Sequence, residues 1–184
     1  MIIFGHLINF LYNSTGLKIA KITEGGSGAK LTYTCNSDLD IIFATSKDYI
    51  AQEMLEFLEE KANQMFGAVA NIRKSLSAVQ IDFIHPQCDV DLVYKTKNAF
   101  NQEFKEIKNI KKLKSVQQNA IKIVKYTFDN TIDDVIHGYE VEKACLQFNL
   151  SNLKNLVYSI IEYFRGRINQ EGLSVNNIIE FLSK

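Results

Sequence analysis

The stretch that decides the reading is EGGSGAKLTYTCNSDLDIIF, Glu24 to Phe43. A Gly25-Gly26-Ser27 turn is followed, ten residues after Ser27, by Ser37-Asp38-Leu39-Asp40 and then an apolar run. Side chains alternate along a strand, so Asp38 and Asp40 project from one face. Acids set beside a glycine turn with free backbone amides make a place to hold a metal-bound polyphosphate.

Working outward, the segments on both sides read as a small sheet with helices. Leu17 to Ile22 predicts a short strand feeding the turn, residues 28–34 a brief helix, and Asp38 to Ala44 a strand buried on at least one side. Upstream, Phe4, Leu7, Ile8 and Leu11 fall at helical spacing and predict an amphipathic core helix. Downstream, Thr45-Ser46-Lys47-Asp48 has capping-box spacing and predicts a helix to about Phe66, striped by Ile50, Met54, Phe57, Leu58, Ala62 and Met65 and stopped by Gly67. Three β-rich runs follow, Ala68 to Ser75, Ala78 to Ile84 and Cys88 to Tyr94, the last two separated by His85-Pro86-Gln87.

From Lys95 the period changes. Helices are expected over Val116 to Phe128 (with Ala120, Ile123, Val124 and Phe128 on one face), Tyr139 to Phe148, Ser151 to Ile168 and Ser174 to Leu182, with Ser151 and Ser174 as N-caps. The fold class is α+β: a small mixed sheet with helices in the N-terminal half and a helical C-terminal half. We place the division near residue 100, so that 1–100 form one lobe and 101–184 a second, closely packed one, with the first helix able to span both.

The strand Cys88 to Tyr94 supplies a third acid. Cys88, Val90, Leu92 and Tyr94 make an apolar face, which leaves Asp89 and Asp91 together on the other. Beside the Asp38/Asp40 strand, such an acid completes an oxygen-ligand cluster suited to Mg²⁺ or Mn²⁺. Two ions are expected: one on Asp38 and Asp40, organising a triphosphate, and a second shared with Asp91, activating an attacking hydroxyl. Gly25, Gly26 and the Ser27 hydroxyl would hold the β/γ-phosphates. The plain alternative for Ser37 to Asp40 is a capped strand start with solvated acids.

GGSGAKLTYTCNSDLD resembles the signature of the polymerase-β-type nucleotidyltransferase superfamily, a Gly-Ser turn followed at fixed spacing by an Asp-x-Asp strand. Ala29, Lys30 and Thr32 stand where many members carry Ala, Arg and Thr. The doubled glycine and the Ser-Asp-x-Asp form are most similar to oligoadenylate synthetases and cyclic GMP-AMP synthase. The resemblance favours Asp91 over Asp89 as third acid, since two apolar residues follow it. It implies transfer of a nucleotidyl group from a nucleoside triphosphate to a hydroxyl of a nucleotide or RNA, with release of pyrophosphate. Ala120 to Tyr126 resembles the helix whose lysine, here Lys125, reaches the nucleotide phosphates. His137-Gly138-Tyr139-Glu140-Val141 resembles the segment whose tyrosine, here Tyr139, stacks on a base. Gly138 departs from the serine of cyclic GMP-AMP synthase, and its zinc insertion is absent. The resemblance covers about residues 17–165.

Two other readings stay open: transfer of a nucleotidyl group to a protein, and a non-catalytic nucleic-acid-sensing module of the same fold. Lys105, Lys108, Lys111, Lys112 and Lys114 form the one locally basic run, a solvated face or a contact for RNA or DNA. No aromatic residues interleave with the lysines between Phe104 and Tyr126. Overall charge excludes nothing, because Lys+Arg and Asp+Glu both number 21. Cys35, Cys88 and Cys145 are widely spaced and read as reduced thiols, and His6, His85 and His137 lack partners at metal spacing. No apolar run reaches the ~18 residues of a membrane span. The chain reads as soluble and cytoplasmic.

Overall fold

A computed structural model describes residues 2–33, 38–85, 87–132 and 136–182, with the side chains of 2–4 excepted. Cys35, Ser37, Pro86 and the Phe4 side chain therefore lie outside the described residues. The chain divides into two compact units, residues 1–29 with 37–108 and residues 30–36 with 109–184.

The first unit is built on a five-stranded mixed sheet of order β1-β2-β5-β4-β3. Its strands are β1 (Ile19–Glu24), β2 (Leu39–Thr45), β3 (Ala70–Lys74), β4 (Val79–Phe83) and β5 (Cys88–Tyr94). β2 and β5 run parallel, and the other pairs are antiparallel. The alternation expected of the sequence is observed. Ile41, Phe43, Ile81, Val90 and Leu92 point to one face and are buried under α1 (Ile2–Asn9) and α3 (Ala51–Phe66). α1 continues as a π-helical turn, Phe10–Ser14, and contributes Leu7, Phe10 and Leu11 to this core.

The opposite face is two-natured. Ile42, Ala44 and Val93 pack with Ala29 and with Phe100 and Ile107 of α4 (Lys97–Lys111). The acidic residues occupy the rest. Sequence periodicity left α4 unassigned because its apolar stripe is thin among lysines and glutamates.

Three local expectations are corrected. Thr45 does not cap α3; it ends β2, its hydroxyl donates to the Lys47 carbonyl, and Asp48 accepts from the Lys97 N–H instead. The helix starts after Ile50, with no side-chain cap, and Ile50 and Met65 are exposed while Leu55 and Phe66 are buried. The expected helix over 151–168 breaks at Phe164, which leaves helical geometry (φ −95°, ψ 5°) and sets its ring edge-on against Phe128. Asn152, not Ser151, caps its first part.

The second unit holds α5 (Ser115–Thr131), α6 (Gly138–Cys145), α7 (Leu153–Tyr163), α8 (Arg165–Gln170) and α9 (Val175–Phe181). Ala120, Ile121, Val124 and Phe128 of α5 pack against Val141, Leu156, Ile160 and Ile178 in one core. Ser174 caps α9 as expected, accepting from the Asn177 N–H. Among the described residues every buried side-chain nitrogen and oxygen has a hydrogen-bond partner.

Candidate active site

In the first unit the strands bring two of the acids side by side. Asp40 and Asp91 are register partners on parallel β2 and β5, strands that run about 4.8 Å apart. Partners across a sheet share a face, so both carboxylates leave the same side. Asp38 stands two residues before Asp40, just ahead of β2. Across the other edge of β5, Gln80 is the register partner of Asp91, and Asp82 that of Asp89.

Burial and neighbouring charge perturb two of these acids. Burial, then the charge of Asp38, pushes the Asp91 carboxyl above its ordinary value; a hydrogen bond from Gln80 and the charge of Arg73 oppose this only in part. Asp38 is likewise raised, first by burial and then by Asp89 and Asp82. Arg73 is paired with Asp82, 2.6 Å away. Burial and Asp89 also raise the half-buried Cys88 thiol, which keeps it protonated.

The glycine turn lies against these acids. The Gly25 N–H donates to the Asp40 carbonyl at 2.8 Å. Gly26 has φ +55°, and a Cβ there would sit 1.6 Å from Asp40 Oδ2; at Gly25 it would sit 2.3 Å from Ile42 Cδ1. Glycine was expected so that a ligand could approach the backbone. In the structure a Cβ at either glycine would meet side chains of β2, Asp40 and Ile42, which lie close against the turn. Ser27 follows, half-buried, in the short helix α2 (Gly26–Lys30).

Among the described residues no group of three or more His, Cys, Asp or Glu side chains is arranged to hold a metal ion. The donor chemistry nevertheless fits a hard divalent cation. The set is all carboxylate oxygen; burial, and after it neighbouring carboxylates (Asp38 for Asp91, Asp89 and Asp82 for Asp38), raises two of its members.

In the second unit, Lys125 and Tyr139 have different settings. Tyr139, at the start of α6, is exposed; His137 stacks nearly parallel to it at 5.8 Å, and the Lys143 ammonium lies 5.2 Å from its ring centre. Lys125 is buried. Its Nζ is 2.6 Å from Glu142 Oε1, and Lys30 Nζ is 3.0 Å from Glu142 Oε2. The Thr32 hydroxyl donates to the same Oε1 at 2.7 Å and accepts from Lys125 at 3.3 Å. Burial pushes the Glu142 carboxyl up, but Lys125, Lys30 and the two hydrogen bonds outweigh it and hold the group below its ordinary value. Sequence reading marked Lys125, Lys30 and Thr32 but missed Glu142. The available signal was an acid on the buried stripe of α6, beside Val141 and Cys145.

Two further features concern the basic and aromatic residues. Lys105, Lys108, Lys111, Lys112 and Lys114 are all exposed, and the Lys108 ammonium stands 4.4 Å from the Phe104 ring centre. Tyr33, Lys122, Tyr126 and Phe181 line a groove of about 420 Å³, with the Lys122 ammonium 4.8 Å from the Tyr33 ring centre. No helix among the described residues is long and apolar enough to cross a membrane.

Neither a protein-family model nor a curated protein sequence matches the chain. Solved structures do match in shape. The CdnE cyclic dinucleotide synthase of Elizabethkingia meningoseptica, solved with GTP and Apcpp, aligns at TM-score 0.66 and 13% identity over 96% of this chain and 81% of its own. CdnC of E. coli MS115-1, in complex with HORMA-deltaN, aligns at TM-score 0.63 and 14% identity over 88% of this chain, which spans 61% of the CdnC chain. The Cid1 poly(U) polymerase, an H336N mutant bound to MgATP, aligns at TM-score 0.65 and 11% identity, covering 89% of this chain and 66% of its own. At such identities the likeness is one of fold: the chain shares the fold of the CdnE cyclic dinucleotide synthase, of CdnC and of the Cid1 poly(U) polymerase.

Proposed function

We propose that this protein is a nucleotidyltransferase that moves a nucleotidyl group from a nucleoside triphosphate onto a hydroxyl of a nucleotide or RNA and releases pyrophosphate. The observation that carries the reading is the register of Asp40 with Asp91, with Asp38 close enough to raise the Asp91 carboxyl. Like charges held together on a half-buried sheet face destabilise the fold unless a cation neutralises them, which is a common signature of a functional site.

Asp38, Asp40 and Asp91 would hold Mg²⁺ or Mn²⁺. The bound metal supplies charge neutralisation for the triphosphate and a lowered pKa for the attacking hydroxyl. The chain's own groups do the positioning. Gly25, Gly26 and Ser27 present backbone and hydroxyl donors to the β/γ-phosphates, Lys125 gives a cation for phosphate, and exposed Tyr139 gives a plane for the base. In this reading residues 1–100 are the catalytic core and residues 101–184 bind nucleotide and acceptor. Lys105, Lys108, Lys111, Lys112 and Lys114 are open to RNA or DNA phosphates, and the place of action is the cytoplasm.

The test is incubation with all four triphosphates and Mg²⁺ or Mn²⁺, with and without double-stranded RNA or DNA, followed by mass analysis. Linear, cyclic or tailed nucleotide products that vanish in Asp91→Asn support the reading. Label that accumulates on a protein band instead points to protein nucleotidylation. Nucleic-acid binding that survives Asp91→Asn, with no product under any condition, points to a sensing module.

A further inference from the structure

We propose that Glu142 is a positioning residue for nucleotide binding, holding Lys125 in place by balancing two buried lysines with one carboxylate. This rests on the reading of Lys125 as a phosphate contact. Glu142, Lys30 and Lys125 are 3%, 7% and 8% exposed, so the cluster is taken out of water with two cations to one anion.

The geometry fixes Lys125 from three sides. Glu142 Oε1 lies 2.6 Å from its Nζ, and Thr32 Oγ1 lies 3.3 Å away while itself donating to Glu142. Thr32 is brought in by Leu31, which adopts φ +62°, a conformation that costs a non-glycine residue about 1 kcal/mol. On the third side, a Cβ at Gly138 would come within 3.0 Å of Lys125 Cε, so the start of α6 rests directly on the lysine stem. The serine that resembles this position elsewhere would crowd that stem. Glycine and the Lys125–Glu142 pair therefore belong together.

The charged groups facing Lys125 are Lys30 from α2 and Glu142 from α6. Glu140, on the same helix as Glu142, is engaged by Arg167 at 2.6 Å and by the His137 N–H, and Asp129, one turn along α5, is exposed. Burial disfavours charged groups, and two ammonium groups sharing a dry site repel. With Glu142 neutral, nothing offsets that repulsion, and the Lys125 ammonium is pushed from the place a phosphate needs it.

The experiment measures the dissociation constant of a fluorescent ATP or GTP analogue with Mg²⁺, beside the urea-unfolding stability of the same variants. Glu142→Gln keeps the hydrogen-bonding shape and removes the charge. Its affinity is expected to fall about tenfold under conditions where it is as fully folded as wild type. The loss runs through Lys125, so in the Lys125→Met background Glu142→Gln costs no further affinity. Should Glu142→Gln fold poorly, Lys30→Met with Glu142→Gln removes the second buried ammonium and is compared with Lys30→Met alone. No loss in folded Glu142→Gln, or an equal loss with and without Lys125, overturns the proposal while leaving Lys125 as a phosphate contact. Wild-type affinity in Lys125→Met overturns that contact, and the proposal with it.

Discussion

Two clusters of charge stand out among the described residues, one in each unit, partly exposed in the first and buried in the second, and they are built on opposite terms. In the first unit, Asp38 and Asp91 are raised by burial and by neighbouring carboxylates, with only Gln80 and Arg73 in partial relief of Asp91. In the second, Glu142 is held below its ordinary value by Lys125, Lys30 and Thr32. One arrangement opposes the fold, and a bound cation would relieve it. The other supports the fold and needs no ligand to be satisfied. In the proposed reading the first set answers to a ligand from outside, whereas the second satisfies itself first and so holds Lys125 in position.

The largest expected effect is on turnover. Asp91→Ala or Asp40→Ala should reduce nucleotidyl transfer by about a thousandfold or more, the several kcal/mol that a catalytic metal contributes to charge stabilisation. Labelled triphosphate turnover measures it. Unchanged turnover would remove the acids from the chemistry and break the contrast on its first side.

The second effect falls on stability. Glu142→Ala leaves two ammonium groups buried without a counter-charge and should destabilise the protein by about 3–5 kcal/mol, read from urea unfolding. The pH dependence has a definite sign. Because the folded Glu142 carboxyl lies below the ordinary 4.5, its contribution is complete above that value and is lost as pH falls through the lowered one. The stability gap between wild type and Glu142→Ala should therefore close in acid.

The third effect has the opposite sign. Asp91→Asn, measured without metal, should raise the melting temperature by about 2 °C, since a chain of this size gains roughly 2–4 °C per kcal/mol. Native Asp91 binds its proton more tightly than the unfolded chain does, so its charge weakens the fold as pH rises from the ordinary 3.8 through the raised value. Mg²⁺ or Mn²⁺ should stabilise wild type and leave Asp91→Asn unmoved, which calorimetry can show. A destabilised Asp91→Asn would mean that the acid is structural.

The smallest effect concerns the turn. Gly26→Ala places a Cβ against Asp40 Oδ2 at positive φ, whereas Gly16→Ala meets nothing within 4 Å at φ +71°. Gly16→Ala should cost about 1–2 kcal/mol from backbone strain alone. Gly26→Ala should cost more than that and also lower metal affinity, because Asp40 must move. Equal costs would show that the turn does not position the acid.

How much of this was legible beforehand differs by kind of interaction. The faces of β2 and β5 followed from alternation, because a strand's period of two needs no partner to define it. Hence Asp38 with Asp40, and Asp89 with Asp91, could be placed on shared faces from the chain, as could Val90 and Leu92 in the core; the choice of Asp91 over Asp89 came from the family resemblance. Boundaries that rest on a competing partner could not. Thr45 looked like a cap until β2 claimed it, and Phe164 broke a helix whose periodicity continued past it. α4 was obscured by its own lysines.

What the sequence determined by itself is local: the glycine turn, the spacing of the acids, the alternation of the strands and the periods of α3, α5 and α9. These depend on residues a few positions apart, where chain geometry leaves few choices. Tertiary structure alone decided which charges meet. Thr32 and Glu142 are 110 residues apart in sequence, and nothing in either segment names the other. Tyr33, Lys122 and Tyr126 come together in the same way, although no aromatic residue interleaves with the lysines along the chain between Phe104 and Tyr126. Such pairings are set by how buried faces stack, and only the folded chain contains that information.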